Sequence, residues 1–196
     1  MIILTAKKYF RGLYKMENDI RYSVTNTIIK NSLKTLMESK PLNKIKIIDI
    51  CKEAHISRTT FYNHYVDLYD LIEDFEKDIL NDLDIQKFIG IEKTEENIIN
   101  LLENVLDYIE SNKKIYKRFF ETKNMDFYNL VLNYCMDKMS INSYSSDNNN
   151  DFESSVFFTY HSFGFLSIVE KWINSNENNS ISTHELAQII AKYMIC

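Results

Sequence analysis

The sequence predicts an all-α protein: a short helix-turn-helix head followed by a larger helical bundle, with about nine helices in total. Three observations carry this. Of 196 residues, 45% are apolar and only three are Gly and one Pro, too few turn residues for a β-sandwich or barrel and too few clustered glycines for a phosphate-cradling loop. Apolar positions recur at helical spacing along almost the whole chain, and no strand-like alternation competes with them. The charge is also split. Residues 1–66 carry a net of +7 and residues 67–196 a net of -12, within an overall -5, the pattern of a polyanion-binding head on an acidic body.

The elements follow in order. Residues 1–20 read as an N-terminal extension whose first 15 residues hold four cations and no acid. An unstructured tail, a minor-groove or phosphate arm, and a true start at Met16 are the alternatives there. From Arg21 to Ser39, Ile29, Leu33, Leu36 and Met37 form one stripe of an amphipathic helix, which Pro41 ends. Ile47, Ile50, Cys51 and Ala54 mark a second short helix. Ser57 caps a third that runs to about Tyr65. Asp67 caps a fourth, with Asp70 near its positive end, and its stripe is Leu68, Leu71, Ile72, Phe75, Ile79 and Leu83. Gly90 ends it.

Thr94 caps the next helix, where Ile98 to Ile109 is apolar on more than one side and therefore packs on more than one face. A short helix over Lys113–Phe120 and an aromatic-rich one over Met125–Met139 follow. Residues 140–151 are low-complexity and read as a loop. Phe152–Ile173 is long and two-faced. Ser182 and Glu185 form a capping box before a last helix with Leu186, Ile189, Ile190 and Tyr193. The domains are accordingly 1–20, 21–66 and 67–196.

Function is carried by residues 47–65, whose spacing is that of a helix-turn-helix. Its second helix buries Ile56 and Phe61 and offers Ser57, Arg58, Thr59, Thr60, Tyr62, Asn63 and His64. Hydroxyls of this kind reach phosphates, Arg bonds guanine bidentately and Asn reads adenine. Lys44 and Lys46 precede the pair, where cations meet the DNA backbone. The partner this implies is double-stranded DNA.

The stretch Ile45 to Ile72, IKIIDICKEAHISRTTFYNHYVDLYDLI, resembles the DNA-binding domain of the TetR/AcrR family of bacterial transcriptional regulators. The agreement lies in Asp49-Ile50, Lys52-Glu53-Ala54, Ile56-Ser57-Arg58, Thr60-Phe61-Tyr62, His64-Tyr65 and Asp70-Leu71. The segment from Phe157 to Ile190 resembles the C-terminal domain of a low-GC Gram-positive branch of the family. This resemblance implies a homodimer on a palindromic operator and, most simply, a ligand-responsive repressor. It implies a dimer seam on the last two helices, using Phe157, Phe165, Ile168, Trp172, Leu186, Ile189 and Ile190. For a small aromatic or amphipathic effector the candidate pocket residues are Phe119, Phe120, Phe127, Tyr134, Tyr160 and His161.

Two departures from the family pattern stand out. His55 occupies the turn position where relatives have Gly. Leu68 stands where many place a phosphate-directed Lys. They motivate an alternative, a TetR-like interaction protein or co-activator that has lost DNA binding. An enzyme is not expected, because no G-x-S-x-G, H-E-x-x-H or Gly-rich loop occurs, and Cys135 with His161 is the only nucleophile–base pair to nominate. Neither a metal nor a cofactor is expected. Cys51, Cys135 and Cys196 lack C-x-x-C spacing and read as reduced thiols of a cytoplasmic protein. No apolar run is long enough for a membrane span.

Overall fold

The computed structural model describes residues 2–83, 92, 94–121, 127–134, 151–175 and 181–194. It is all-α, with no strand among those residues. Expectations at Gly90, residues 140–150, Cys135 and Cys196 fall outside them. The chain divides into two compact units, Met1–Phe75 and Glu76–Cys196.

In the first unit, α1 spans Ile2–Ser39, so the helix expected from Arg21 instead begins at Ile2 and takes in the N-terminal extension. Its buried stripe is the expected one, with Ile29, Leu33 and Met37 fully enclosed. Thr25, Thr27, Ser32 and Thr35 each turn a hydroxyl back to the carbonyl four residues earlier. That bond keeps polar β-substituted residues compatible with a helix interior. After Pro41, a 3₁₀ turn over Leu42–Lys44 leads into α2, Ile47–Glu53. The third helix, α3, is Arg58–Tyr62, shorter than its apolar pattern predicted, because Asn63 caps it. Next comes α4, Leu68–Asp82, which crosses from one unit into the other. The Asp67 carboxylate accepts from the Asp70 backbone N–H, 3.0 Å, and the Asp70 carboxylate accepts from Val66, 2.9 Å, which fixes the start of α4.

The second unit contains α5 (Glu95–Ser111), α6 (Lys113–Glu121), α7 (127–134), α8 (Asp151–Ile173) and α9 (Thr183–Met194). The Thr94 hydroxyl caps α5 on the Asn97 N–H, 3.2 Å. For α9 the Ser182–Glu185 box forms in both directions, at 3.0 and 3.2 Å. The main packing is α5 on α9; Leu102, Leu106 and Ile109 of α5 and Leu186 and Ile190 of α9 are buried, as are Ala187 and Ala191, whose small side chains permit a close approach. Two aromatic groups complete the core. Phe119 and Phe127 stack at 4.8 Å, flanked by Tyr116 and Phe120. Trp172 donates its indole N–H to the Ile181 carbonyl, 3.2 Å, with the Lys113 ammonium 5.9 Å from its ring. Among the described residues, no helix is long and apolar enough to cross a membrane.

Candidate nucleic-acid interface

The head is built so that a short helix is held by its inner face and bares its outer one. Ile50 of α2 is fully buried, with Cys51 and the C-cap Ala54 nearly so, and Phe61 of α3, the helix packed against α2, has no exposure at all. Burial holds the Cys51 thiol pKa up, against a smaller pull from the Arg58 charge. One Asp49 oxygen accepts the Lys46 N–H, 3.1 Å, and the other pairs with the Lys40 ammonium, 3.4 Å. The backbone bond, ahead of Lys40, lowers the Asp49 pKa.

The turn between the two helices is a Schellman motif. The His55 N–H reaches the Lys52 carbonyl, 3.3 Å, and the Ile56 N–H reaches the Cys51 carbonyl, 3.0 Å. This geometry demands a left-handed residue after the helix cap. His55 supplies it at φ 54°, and it is the only non-glycine at positive φ among the described residues. The departure noticed in the sequence is thus absorbed without changing the turn. It costs about 1 kcal/mol of backbone strain relative to Gly.

Ser57 then caps α3, its hydroxyl accepting from the Thr60 N–H at 3.0 Å and lying 2.9 Å from the Thr60 hydroxyl. These two groups are therefore partly engaged with each other. Arg58, Thr59, Tyr62 and Asn63 are exposed, as are Lys44 and Lys46. His64 is placed differently. It is half-buried, its ring stacked on Tyr22 of α1 at 4.1 Å and 22°, with Nδ1 buried and without a partner among the described residues. Burial lowers its pKa, which favours the neutral ring that stacks. Leu68 is half-buried at the first turn of α4 and offers no charge.

A tie next to α3 escaped sequence reasoning. The Asp74 carboxylate of α4 receives the Tyr65 hydroxyl and the Lys30 ammonium, each at 2.8 Å. Partial burial alone would raise the Asp74 pKa, but Lys30, Tyr65 and Asn26 outweigh it and lower it. Three segments, α1, the end of the helix-turn-helix and α4, are joined at this one group.

In the second unit the structure brings Phe119, Phe120 and Phe127 together and keeps Tyr160 away from them. Tyr160 is 74% exposed, its ring T-shaped against that of His161. Tyr134 and His161 are half-buried. The Tyr116 hydroxyl, missed in the sequence, is enclosed beside this cluster with no hydrogen-bond partner among the described residues, and burial raises its pKa strongly. The Tyr128 hydroxyl donates to Glu170, 2.9 Å, and burial, ahead of that carboxylate, pushes its pKa up to about 12.

The expected dimer residues divide. Trp172, Leu186 and Ile190 are buried in their own unit, because the α8 and α9 faces that carry them are already packed. Phe165 is half-buried, and the Phe157 side chain lies outside the description. Ile168 and Ile189 do face outward. With them stand Phe152, Val156 and Tyr160 on α8 and Tyr193 on α9, none less than 40% exposed. Among the described residues no group of acids, histidines and cysteines is arranged for a metal.

The family model for a TetR-type transcriptional regulator C-terminal region matches residues 96–195. The transcriptional activator of the dhaKLM operon, DhaS, from Lactococcus lactis is 30% identical over 111 residues, which is 55% of this chain and 56% of that relative. The match thus spans little more than half the length of the curated relative. A solved structure of a TetR regulator from Streptococcus agalactiae superimposes with a TM-score of 0.67 at 16% identity, covering 92% of this chain and 98% of that one. The structure titled as the dihydroxyacetone kinase operon activator DhaS gives 0.56 at 23% identity, covering 88% and 94%. At those identities the superpositions speak for the fold, and the matched C-terminal region for the family. The chain belongs to the TetR family of transcriptional regulators.

Proposed function

We propose that the protein is a dimeric, operator-binding regulator that reads duplex DNA through α3. The observation that carries this is the division of α3 itself. Phe61 is wholly buried, while Arg58, Thr59, Tyr62 and Asn63 are exposed on a head of net +7. A helix clamped by one aromatic and lined outside by a guanidinium, hydroxyls and an amide suits the major groove. Lys44 and Lys46 are the natural backbone contacts, and the Ser57–Thr60 pair sets the helix entry.

Dimerisation is proposed through the outward apolar stripe of α8, Phe152, Val156, Tyr160, Gly164 and Ile168, together with Ile189 and Tyr193 of α9. Apart from its own helix backbone, a Cβ added at Gly164 would meet nothing within 4 Å among the described residues. A mid-helix glycine costs about 1 kcal/mol against Ala, and close approach by a second copy accounts for it. Two heads so joined require an inverted repeat with half-sites roughly 34–36 Å apart.

A small ligand is proposed at the Tyr116–Phe119–Phe127 cluster. The enclosed Tyr116 hydroxyl offers such a ligand one hydrogen bond amid aromatic walls. A ligand that distinguishes two head spacings then controls occupancy. Repression follows where the operator overlaps a promoter and activation where it lies upstream, the sense named for DhaS. Footprinting on the DNA flanking the gene tests the proposal. Two protected stretches related by a dyad, one turn apart, are expected. Uniform or absent protection refutes DNA reading and favours the partner-protein alternative, which the uncharged Leu68 supports.

A further inference from the structure

We infer that Tyr22 of α1 is a further DNA contact: its hydroxyl donates to a backbone phosphate beside the end of α3, aimed there by the stack of its ring on His64. The inference rests on the operator-binding reading above and adds a residue that reading does not use.

Tyr22 precedes Ile29 by almost two turns of α1, so the two lie within about 20° of each other around the helix. Ile29 is wholly enclosed, whereas Tyr22 is 51% exposed. The stripe that packs α1 into the head has therefore reached the surface at Tyr22. What it meets there is His64, ring on ring at 4.1 Å and 22°. The stack uses only the ring, and a phenylalanine would present the same face. The Tyr22 hydroxyl takes no part in it and has no hydrogen-bond partner among the described residues. The fold thus fixes the direction of a donor that it does not itself employ.

The place of that donor follows from its platform. His64 directly follows Asn63, the cap of α3, and both Tyr62 and Asn63 are exposed. Tyr22 consequently stands at the end of the helix proposed to enter the groove, where such a helix adjoins the sugar–phosphate backbone. Tyrosine hydroxyls are ordinary phosphate donors, and a bond from O–H to an anionic oxygen is charge-assisted. The sequence points to His64 for a DNA contact, but one face of its ring is covered and its Nδ1 is buried. Burial also favours the neutral ring, which brings no charge to a phosphate. His64 is the platform and Tyr22 the donor. A ring already held by stacking has less freedom to lose on binding than a loose side chain.

The test is Tyr22→Phe in the full chain, which keeps the ring and removes the donor. Anisotropy titrations compare it with the parent on the operator duplex and on a scrambled duplex of the same length. Affinity should fall about two- to tenfold per protomer on both. The salt slope should stay as it is, because a neutral donor releases no counterion, and so should the thermal midpoint. Operator duplexes in which one phosphate at a time is a neutral methylphosphonate then locate the contact. At one phosphate per half-site the gap between parent and variant should close. A variant that binds both duplexes as tightly as the parent overturns the inference and leaves Tyr22 a packing residue, while operator reading stands. A loss confined to the operator overturns it as well, because that marks a base contact. So does a loss that no single phosphate replacement closes. Failure of the parent to prefer the operator over the scrambled duplex removes the operator reading and this inference together.

Discussion

The His64 ring lies flat on Tyr22, 4.1 Å between centroids and 22° between planes. Through that stack the residue after the reading helix is fixed to α1 by an aromatic face instead of a hydrogen bond. Its consequence is a pH dependence of known sign. Burial sets the folded His64 pKa below the ordinary histidine value. The stability it contributes is therefore complete above about pH 6.5 and is lost as pH falls through the lower folded value. The thermal midpoint of the parent should drop over that window, and His64→Phe, which keeps the stack, should remove the drop.

Asp74 titrates in a lower window. Its folded pKa lies below the ordinary carboxylate value, so its contribution is present above about pH 4 and disappears as pH falls through the folded value. Asp74→Asn should destabilise the protein by about 1 kcal/mol at pH 7, a modest figure because the carboxylate is partly exposed. Denaturation curves of the two proteins should converge near pH 2.

His55→Gly should raise stability by about 0.5–1 kcal/mol, since glycine adopts the left-handed turn without strain but gains freedom in the unfolded chain. Urea midpoints check this. A lower midpoint would show that the His55 side chain holds something the turn needs.

Gly164 separates helix stability from assembly. Gly164→Ala should favour the α8 helix by about 1 kcal/mol, yet weaken the dimer. Gly164→Leu should leave a folded monomer by sedimentation equilibrium. A Leu variant as dimeric as the parent would move the interface elsewhere on the bundle.

Much of this was legible in the sequence because it is local. The stripe of Ile29, Leu33 and Met37, the Ser57 and Thr94 caps and the Ser182–Glu185 box each depend on residues within a few positions, and the structure contains all of them. What stayed hidden is long-range. The Tyr22–His64 stack and the Lys30–Asp74–Tyr65 tie join residues 9 to 44 positions apart, with no periodic mark. The two faces of α8 were visible as a pattern, but not which faced inward. Trp172, Leu186 and Ile190 read as seam residues, and packing on α5 and the Ile181 carbonyl claims that side for the core. The length of α1 was obscured because Arg11, Gly12 and Lys15 interrupt the apolar signal without breaking the helix.

Selection of random duplex DNA by the purified protein tests the central claim most directly, followed by titration of the enriched sequence with the parent and Arg58→Ala. The account predicts an inverted repeat with half-sites one turn apart, bound by two protomers with a steep salt slope. Arg58→Ala should bind it more weakly by about 1–3 kcal/mol per half-site and still dimerise. Recovery of no common sequence, or an Arg58→Ala variant that binds as tightly as the parent, would contradict the assignment of α3 as the reading helix.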